Sequence, residues 1–245
     1  MKSYIENFKK YRFLLWELVK KGVKLKYRRS YLGILWYTVR TVNVTMIVLS
    51  VVFGTLFGNK DPHFPVYILC GRLMYSFFSS ATNGAMKAIR TNAGMIKKVY
   101  VPKYIYPLSS VLFNYIIFAI SLIVLVVVSI VLKVYPTVYL AQAIIPLILL
   151  LITAFGVGMI LSTMAVFFRD LEYLWSVGLM IIMYASAIFY KPEKLLKSGF
   201  GWILKCNPLY LLIHNFRQAV FGMPMNMKFL AASIVFAIVS VIVGF

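Results

Sequence analysis

Six long apolar runs dominate the chain, separated by short segments where charge, proline and glycine gather. The runs cover residues 34–57, 64–86, 107–132, 138–167, 173–190 and 229–245. A hydrocarbon core of roughly 30 Å takes about 20 apolar residues of helix to cross. The fifth run is short by that measure. The sixth stops on Val243, Gly244 and Phe245, where a polar tail would be expected to follow. The pattern predicts an all-α membrane protein with six transmembrane helices, forming a single transmembrane domain over residues 1–245.

Two segments follow another rhythm. Over residues 4–27, Phe8, Tyr11, Leu15, Leu18, Gly22 and Leu25 recur every three or four positions. Lys9, Lys10, Glu17, Lys20, Lys21 and Lys24 fall on the opposite side. That is an amphipathic helix, predicted to lie in the membrane interface with its cations toward water and lipid phosphates. A soluble surface helix is the alternative. Between the last two runs, the apolar pieces Phe200–Leu204 and Pro208–Ile213 are too short to cross, and Lys205, Asn207, Pro208, His214 and Arg217 interrupt them. Irregular backbone at membrane depth survives only under the shelter of protein or a water-filled cavity. We therefore expect two short helices over 198–222, dipping into the outer leaflet as a re-entrant hairpin. A partly buried external loop is the other reading.

Composition agrees with a bilayer as solvent. The chain has 245 residues, 62% of them hydrophobic and 13% charged, with a mean hydropathy of +0.88. Its 26 Lys and Arg face only 6 Asp and Glu. The cations gather between apolar runs, which fits a positive membrane face and excludes a phosphate-binding stripe for nucleic acid. With both termini on one side, that side holds the cations of the N-terminal segment, those from Lys87 to Lys103, and Arg169. The other side holds fewer: Lys60, Lys133 and those between Lys191 and Lys228. The richer side marks the cytoplasm, so both termini are expected inside. No secretory signal peptide is visible in the basic N-terminal segment. Cys70 and Cys206 form no CxxC or Cys/His cluster and read as two unpaired thiols.

Catalytic patterns are missing from the sequence. There is no GxxxxGK[ST] loop for ATP. His63 and His214 stand far apart with no ligand spacing around them. The acids Glu6, Glu17, Asp61, Asp170, Glu172 and Glu193 all lie away from the middle of a predicted span. A proton- or sodium-coupled carrier usually keeps an ionisable group there. A membrane hydrolase would want a general base. The energy source is therefore expected outside this chain, which is read as a transport component and not an enzyme.

Five blocks carry a family resemblance. "KYRRSYLGILW" (26–36) leads into the first run, and "GRLMYSFFSSATNGAMKAIRTNAGMIKKVYVPKYIYPLSSVL" (71–112) leads from the second into the third. "FFRDLEYLW" (167–175) marks the turn after the fourth, "SAIFY" (186–190) ends the fifth, and "NPLYLLIHNFRQAVF" (207–221) fills the hairpin. In this order and with this hydropathy, the chain resembles the permease subunits of type-2 ABC exporters, in the branch exporting lipid-linked polysaccharides such as O-antigens and teichoic acids. Two positions depart from the pattern. "WYTVRTVN" carries Arg40 where many relatives have an early proline, and Ala187 stands where the proline of a Ser-Pro pair is common.

The resemblance implies a homodimer with two cytoplasmic ABC ATPase subunits in a bacterial inner or plasma membrane. It binds no cofactor itself, and ATP and Mg belong to the ATPase partner. The substrate would be an undecaprenyl-diphosphate-linked polysaccharide, within membrane lipids and without nucleic acid. A drug or lipid exporter of the same fold is the first alternative, and a scaffold or enzyme working without ATP the second. Residues 87–103 match the segment through which ATPase motion enters, with Lys87, Arg90, Asn92, Lys97 and Lys98 as candidate coupling residues. Pro102 and Pro107 punctuate it. The charges alone would equally follow from the positive-inside rule. Arg169, Asp170 and Glu172 form a second candidate contact, tying the turn between spans four and five to the ATPase or to the N-terminal helix; a solvated turn is the plainer reading. A polymer path wants flat aromatic faces, for which Trp36, Tyr37, Tyr75, Phe77, Phe78, Tyr184 and Tyr190 are candidates, although aromatics also collect at membrane interfaces. Arg28, Arg29, Arg40 and Arg72 are candidates for a lipid diphosphate, or for snorkelling to headgroups. Gly54 and Gly58 form a GxxxG that suits close helix approach.

Overall fold

A computed structural model describes residues 2–27, 63–98, 100–134, 137–193 and 201–245, with side chains of the first helix described from Tyr11 to Lys24. The expected first span, 34–57, lies outside the described residues, as do Arg28, Arg29, Trp36, Tyr37, Arg40, Gly54 and Gly58. Among the described residues the structure is helical and has no strand. The helices are α1 (Lys2–Tyr27), α2 (Phe64–Thr91), α3 (Ala93–Ile96), α4 (Ile105–Val131), α5 (Ile144–Phe167), α6 (Leu171–Ala185), α7 (Gly201–Cys206), α8 (Pro208–Val220) and α9 (Met227–Gly244). A 3-10 turn, Val138–Ala143, runs directly into α5.

Three stretches among the described residues are long and apolar enough to cross a membrane: Ile105–Val131, Val138–Phe167 and Met227–Gly244. Their outward faces carry exposed Ile123, Val127, Ile148, Val235 and Val239. Such a surface is stable in hydrocarbon and not in water. The helix α2 is as long but more polar, with Arg72, Ser79, Thr82 and Asn83 along it. It can be, because α2 sits against both α4 and α5 and buries most of its length.

Small residues allow that packing. Between apolar helices in lipid, close van der Waals fit replaces the hydrophobic drive. Gly158 of α5 lies where a Cβ would come 2.7 Å from the Ala85 methyl of α2. Gly156 faces the backbone of Ser240 and Val241 on α9, and a Cβ on Gly244 would stand 2.9 Å from Met159 Cβ. The α5 helix is therefore clasped on two sides at the level of one Gly-Val-Gly step. Aromatic rings fill the wider gap between α2 and α4, with Phe77 stacked on Phe118 at 5.1 Å and meeting Tyr115 edge-on at 5.4 Å.

The first helix is amphipathic, as its spacing predicts, and its apolar stripe meets protein. Leu15 is buried with Ala88, Val101, Ile105 and Tyr106, and Val19 is buried too, while Lys20, Lys21 and Lys24 face outward. Phe13 and Trp16 remain exposed beside the cations. The fifth apolar run behaves differently from its sequence pattern. Its helix stops at Ala185, short of residue 190, and at 15 residues it rises only about 22 Å. Ser186 turns its hydroxyl back to the Ile182 carbonyl at 2.6 Å, and Ala187 adopts a left-handed φ of 47°. The chain then folds inward, with Ser186 to Phe189 buried.

The two ends of the molecule are distinct. At one end converge α1, the close of α2, the start of α4, the α5–α6 turn and the residue following α9, Phe245, which meets Tyr104 at 5.7 Å. At the other end lie the start of α2, residues 186–190 and the α7–α8 pair.

Candidate functional site

Cationic side chains on α2 and one acid on α6 close the first of these ends. Lys87 and Arg90 sit one turn apart near the end of α2, and both pair with Glu172, in the first turn of α6. The Lys87 Nζ to Glu172 Oε2 distance is 2.9 Å. The Lys87 hydrogen bond is the larger effect, with Arg90 adding to it, and together they hold the Glu172 carboxyl below its usual range against a counteracting loss of solvent. One turn further along α6, Trp175 Nε1 donates to Thr82 Oγ1 at 3.2 Å, and its ring lies 6.4 Å from Phe78. Met86 packs below against Leu161 and Ala165. Ion pairs, an indole bond and packing thus fasten the start of α6 to the last third of α2.

Beyond Arg90 the backbone reverses in small steps. Asn92 caps α2 by donating from Nδ2 to the Ala88 carbonyl at 2.8 Å, while its own carbonyl accepts from Met95 and Ile96 to start α3. Met95 and Ile96 turn inward against Val101, Ile105 and Tyr106. Lys97, Lys98 and Lys103 face outward, and Tyr100 is 89% exposed. The Tyr11 hydroxyl of α1 donates to the Tyr100 carbonyl at 3.2 Å. The result is a short, anchored protrusion whose outer surface is cationic and aromatic.

The second candidate contact divides. Glu172 joins the first, linking to α2, while Arg169 and Asp170 are exposed at the turn beside the exposed rings of Phe167, Phe168 and Tyr173. All eight candidate coupling residues therefore stand at one end: Lys87, Arg90 and Glu172 in the junction, Lys97 and Lys98 facing outward, Arg169 and Asp170 in the α5–α6 turn, and Asn92 shaping the backbone between α2 and α3.

The aromatic candidates scatter. Phe77 and Phe78 are buried in the contact of α2 with its neighbours, and Tyr75 is buried with its hydroxyl donating to the Leu179 carbonyl at 3.0 Å. Tyr184 is 59% exposed, and Tyr190 donates to its carbonyl at 3.0 Å. Arg72 is half-buried, reaching Met183 Sδ at 3.4 Å with its guanidinium 5.9 Å from the Tyr75 ring.

Among the described residues, one cation that sequence reasoning treats only as an interruption has the most enclosed position. Arg217 of α8 is 4% exposed. Its Nε donates to the Tyr67 carbonyl at 3.0 Å, Nη1 to Ala187 at 2.9 Å and Nη2 to Ile188 at 3.1 Å. The guanidinium lies 3.5 Å from the centre of the Tyr67 ring. Gly71 opens the space, since a Cβ there would stand 2.6 Å from Nη2. Carbonyls and a ring face solvate this charge, holding α2, the left-handed turn after α6 and α8 together. The available signal is an arginine within a largely apolar helix that also carries His214, Asn215 and Gln218.

Comparison with known proteins bears on this arrangement. A family model described as ABC-2 type transporter matches residues 14–221. The chain is 30% identical, over 94% of its length, to an O-antigen export system permease protein RfbA of Klebsiella pneumoniae, of which it covers 89%. It is 29% identical to the protein of the same name from Myxococcus xanthus, over 89% of this chain and 83% of that one. The polysialic acid transport protein KpsM of Escherichia coli is 22% identical over 83% of this chain and 79% of its own length. The matched span runs from α1 through α8, which carries Arg217, and by that match the chain belongs to the ABC-2 type transporter family.

Proposed function

We propose that the chain is the membrane-spanning subunit of an ATP-driven exporter, moving a lipid-linked polysaccharide such as an O-antigen or a teichoic acid across a bacterial plasma membrane. It works as a homodimer with two separate ATPase subunits, which bind ATP and Mg. Six spans, a re-entrant α7–α8 pair on the outer side and both termini in the cytoplasm complete the reading. The names of the relatives support the substrate class, since three of them concern O-antigen or polysialic acid.

The observation that carries the mechanism is the Lys87–Glu172–Arg90 junction, behind an outward Lys97–Lys98 pair. A push on α3 passes into α2 through Asn92, and the junction makes α6 move with it. A rigid, multiply fastened unit transmits displacement, where a loop would absorb it. At the far end the same two helices meet in the Arg217 cradle, so α2 and α6 are tied at both ends. The exposure of Tyr184 supports it as a surface for a passing glycan, with Tyr190 beside it, and Trp36, Tyr37 and Tyr75 stay candidates for the same path; Phe77 and Phe78 are buried. Arg72, near Tyr75 on α2, is a candidate for the lipid diphosphate.

The test combines charge reversal with substrate accounting. In the Lys97→Glu/Lys98→Glu double variant, we expect normal protein level, loss of the co-purifying ATPase and accumulation of undecaprenyl-linked glycan inside the cell. Retained ATPase binding and export together would refute the coupling assignment. Deleting the gene with no change in surface glycan would instead favour an exporter of a drug or lipid.

A further inference from the structure

An apolar cavity of about 600 Å³ lies beside α6, bounded by α2, α5, α9 and the α7–α8 pair. Phe78 closes it from α2, Val157 from α5, Ile182 and Ala185 from α6, and Leu209 from α8. It follows α6 from Trp175 to Ala185, about 15 Å of helix, or half of a roughly 30 Å hydrocarbon core. Among the described residues no charged side chain lines it. Two of its polar side chains are committed elsewhere. Trp175 Nε1 donates to Thr82 Oγ1, while Asn207 donates from Nδ2 to Ser186 Oγ at 2.9 Å and accepts from the Leu209 amide at 3.0 Å. Thr153 is buried and adds little polar surface, and a thiol such as that of Cys206 behaves as a small hydrophobe.

The cavity is open on one side. Ile181, Trp202 and Phe236 line it and are also exposed, which marks a mouth between α6, α7 and α9. Its depth follows from two of its neighbours. Thr153 stands at the middle of the apolar stretch Val138–Phe167, and Phe236 at the middle of Met227–Gly244. The mouth therefore opens near the centre of the bilayer, where the surroundings offer hydrocarbon and neither water nor headgroups. An empty apolar cavity forfeits contacts in proportion to its volume. Acyl chains are the occupants present there in greatest excess, so mass action favours them.

We propose that this cavity holds an acyl chain of a bilayer phospholipid, which enters sideways between α6 and α9. The site is independent of which substrate the protein exports. Of the α6 side chains only Leu179 is buried. The acyl chain supplies α6 with packing that protein does not, and keeps it apart from α5 and α9.

The experiment uses the full chain purified in detergent and stripped of lipid. It is titrated with dioleoyl-phosphatidylethanolamine, dioleoyl-phosphatidylglycerol, dihexanoyl-phosphatidylglycerol and undecaprenyl phosphate, and bound lipid is counted by native mass spectrometry. We expect a single tight site per chain for either dioleoyl lipid, indifferent to headgroup. The dihexanoyl lipid should bind at least about tenfold more weakly, having lost most of its apolar surface. Ala185→Trp, which fills the cavity, should weaken dioleoyl binding about tenfold, whereas Ile148→Trp on the outward face of α5 should bind as the parent does. The proposal is overturned if no dioleoyl lipid saturates, if the headgroup decides the affinity, or if Ala185→Trp binds as the parent does. It is also overturned if undecaprenyl phosphate displaces the dioleoyl lipid at equal concentration, which would give the cavity to a polyprenyl chain instead. Thermal unfolding of each variant accompanies the titration. Should Ala185→Trp fail to fold, Trp202→Ser removes an exposed wall of the mouth and decides the matter: binding weakened several-fold supports the proposal, and unchanged binding overturns it.

Discussion

Arg217 shows how one side chain sets local structure in an apolar protein. Its charge is buried without an acid partner among the described residues, so its stability depends on three carbonyls and the Tyr67 face being where they are. Replacing it with Ala leaves those carbonyls unpaired and should cost about 3 kcal/mol or more. Gly71→Ala keeps the arginine but pushes a methyl toward Nη2, and should cost about 1–3 kcal/mol by overpacking. Thermal unfolding in detergent, followed by tryptophan fluorescence, would rank the two. Equal stability of all three proteins would show that the cradle is incidental. The sequence makes Arg217 visible as a misfit in an apolar stretch, but not its partners. Two of those are backbone carbonyls in a turn whose φ at Ala187 has no residue signature.

Between elements, the fastening of α2 to α6 is the feature that couples fold to proposed mechanism. Glu172→Gln removes the charge from both ion pairs. Partly exposed pairs contribute little, so a loss of about 1 kcal/mol is expected, with a larger effect on export than on stability. The acid dependence follows from the lowered folded-state pKa. Stabilisation by Glu172 is fully present above the ordinary value of 4.5 and disappears as pH falls through the lower folded value. Acid unfolding curves of parent and Glu172→Gln should therefore converge at low pH and separate above it. Parallel curves throughout would contradict the assignment. A second prediction concerns packing: Gly158→Leu should part α5 from α2 and reduce the yield of folded protein, whereas Ile148→Leu on the outward face should not.

Helix type and approximate extent were legible for most of these elements, because hydropathy reports length well. The amphipathic α1, the apolar α4, α5 and α9, and the paired short helices α7 and α8 all follow from spacing. The end of α6 was not, because "SAIFY" is as apolar as the helix before it; tertiary hydrogen bonds from Ser186, Asn207 and Arg217 decide where the helix stops. Gly54 and Gly58 lie outside the described residues, and the small-residue contacts described lie at Gly156, Gly158 and Gly244. Which glycine faces a neighbour depends on helix rotation, and nearly uniform apolarity hides that. The same limit applies to Phe77 and Phe78, whose burial in the α2 core is indistinguishable, by composition, from lining a path.

At the scale of the whole molecule, polarity is separated along the long axis. One end gathers the ion-paired junction and the outward lysines; the other holds the arginine cradle and the buried turn. On our reading the first end receives the ATPase, and this is the central claim. A photo-crosslinking amino acid placed at Tyr100, beside Lys97 and Lys98, tests it in intact cells, with the same probe at Tyr184 as the control. The account predicts an adduct between position 100 and the ATPase subunit, confirmed by mass spectrometry, and none from position 184. An ATPase adduct from position 184 with none from position 100 would contradict it.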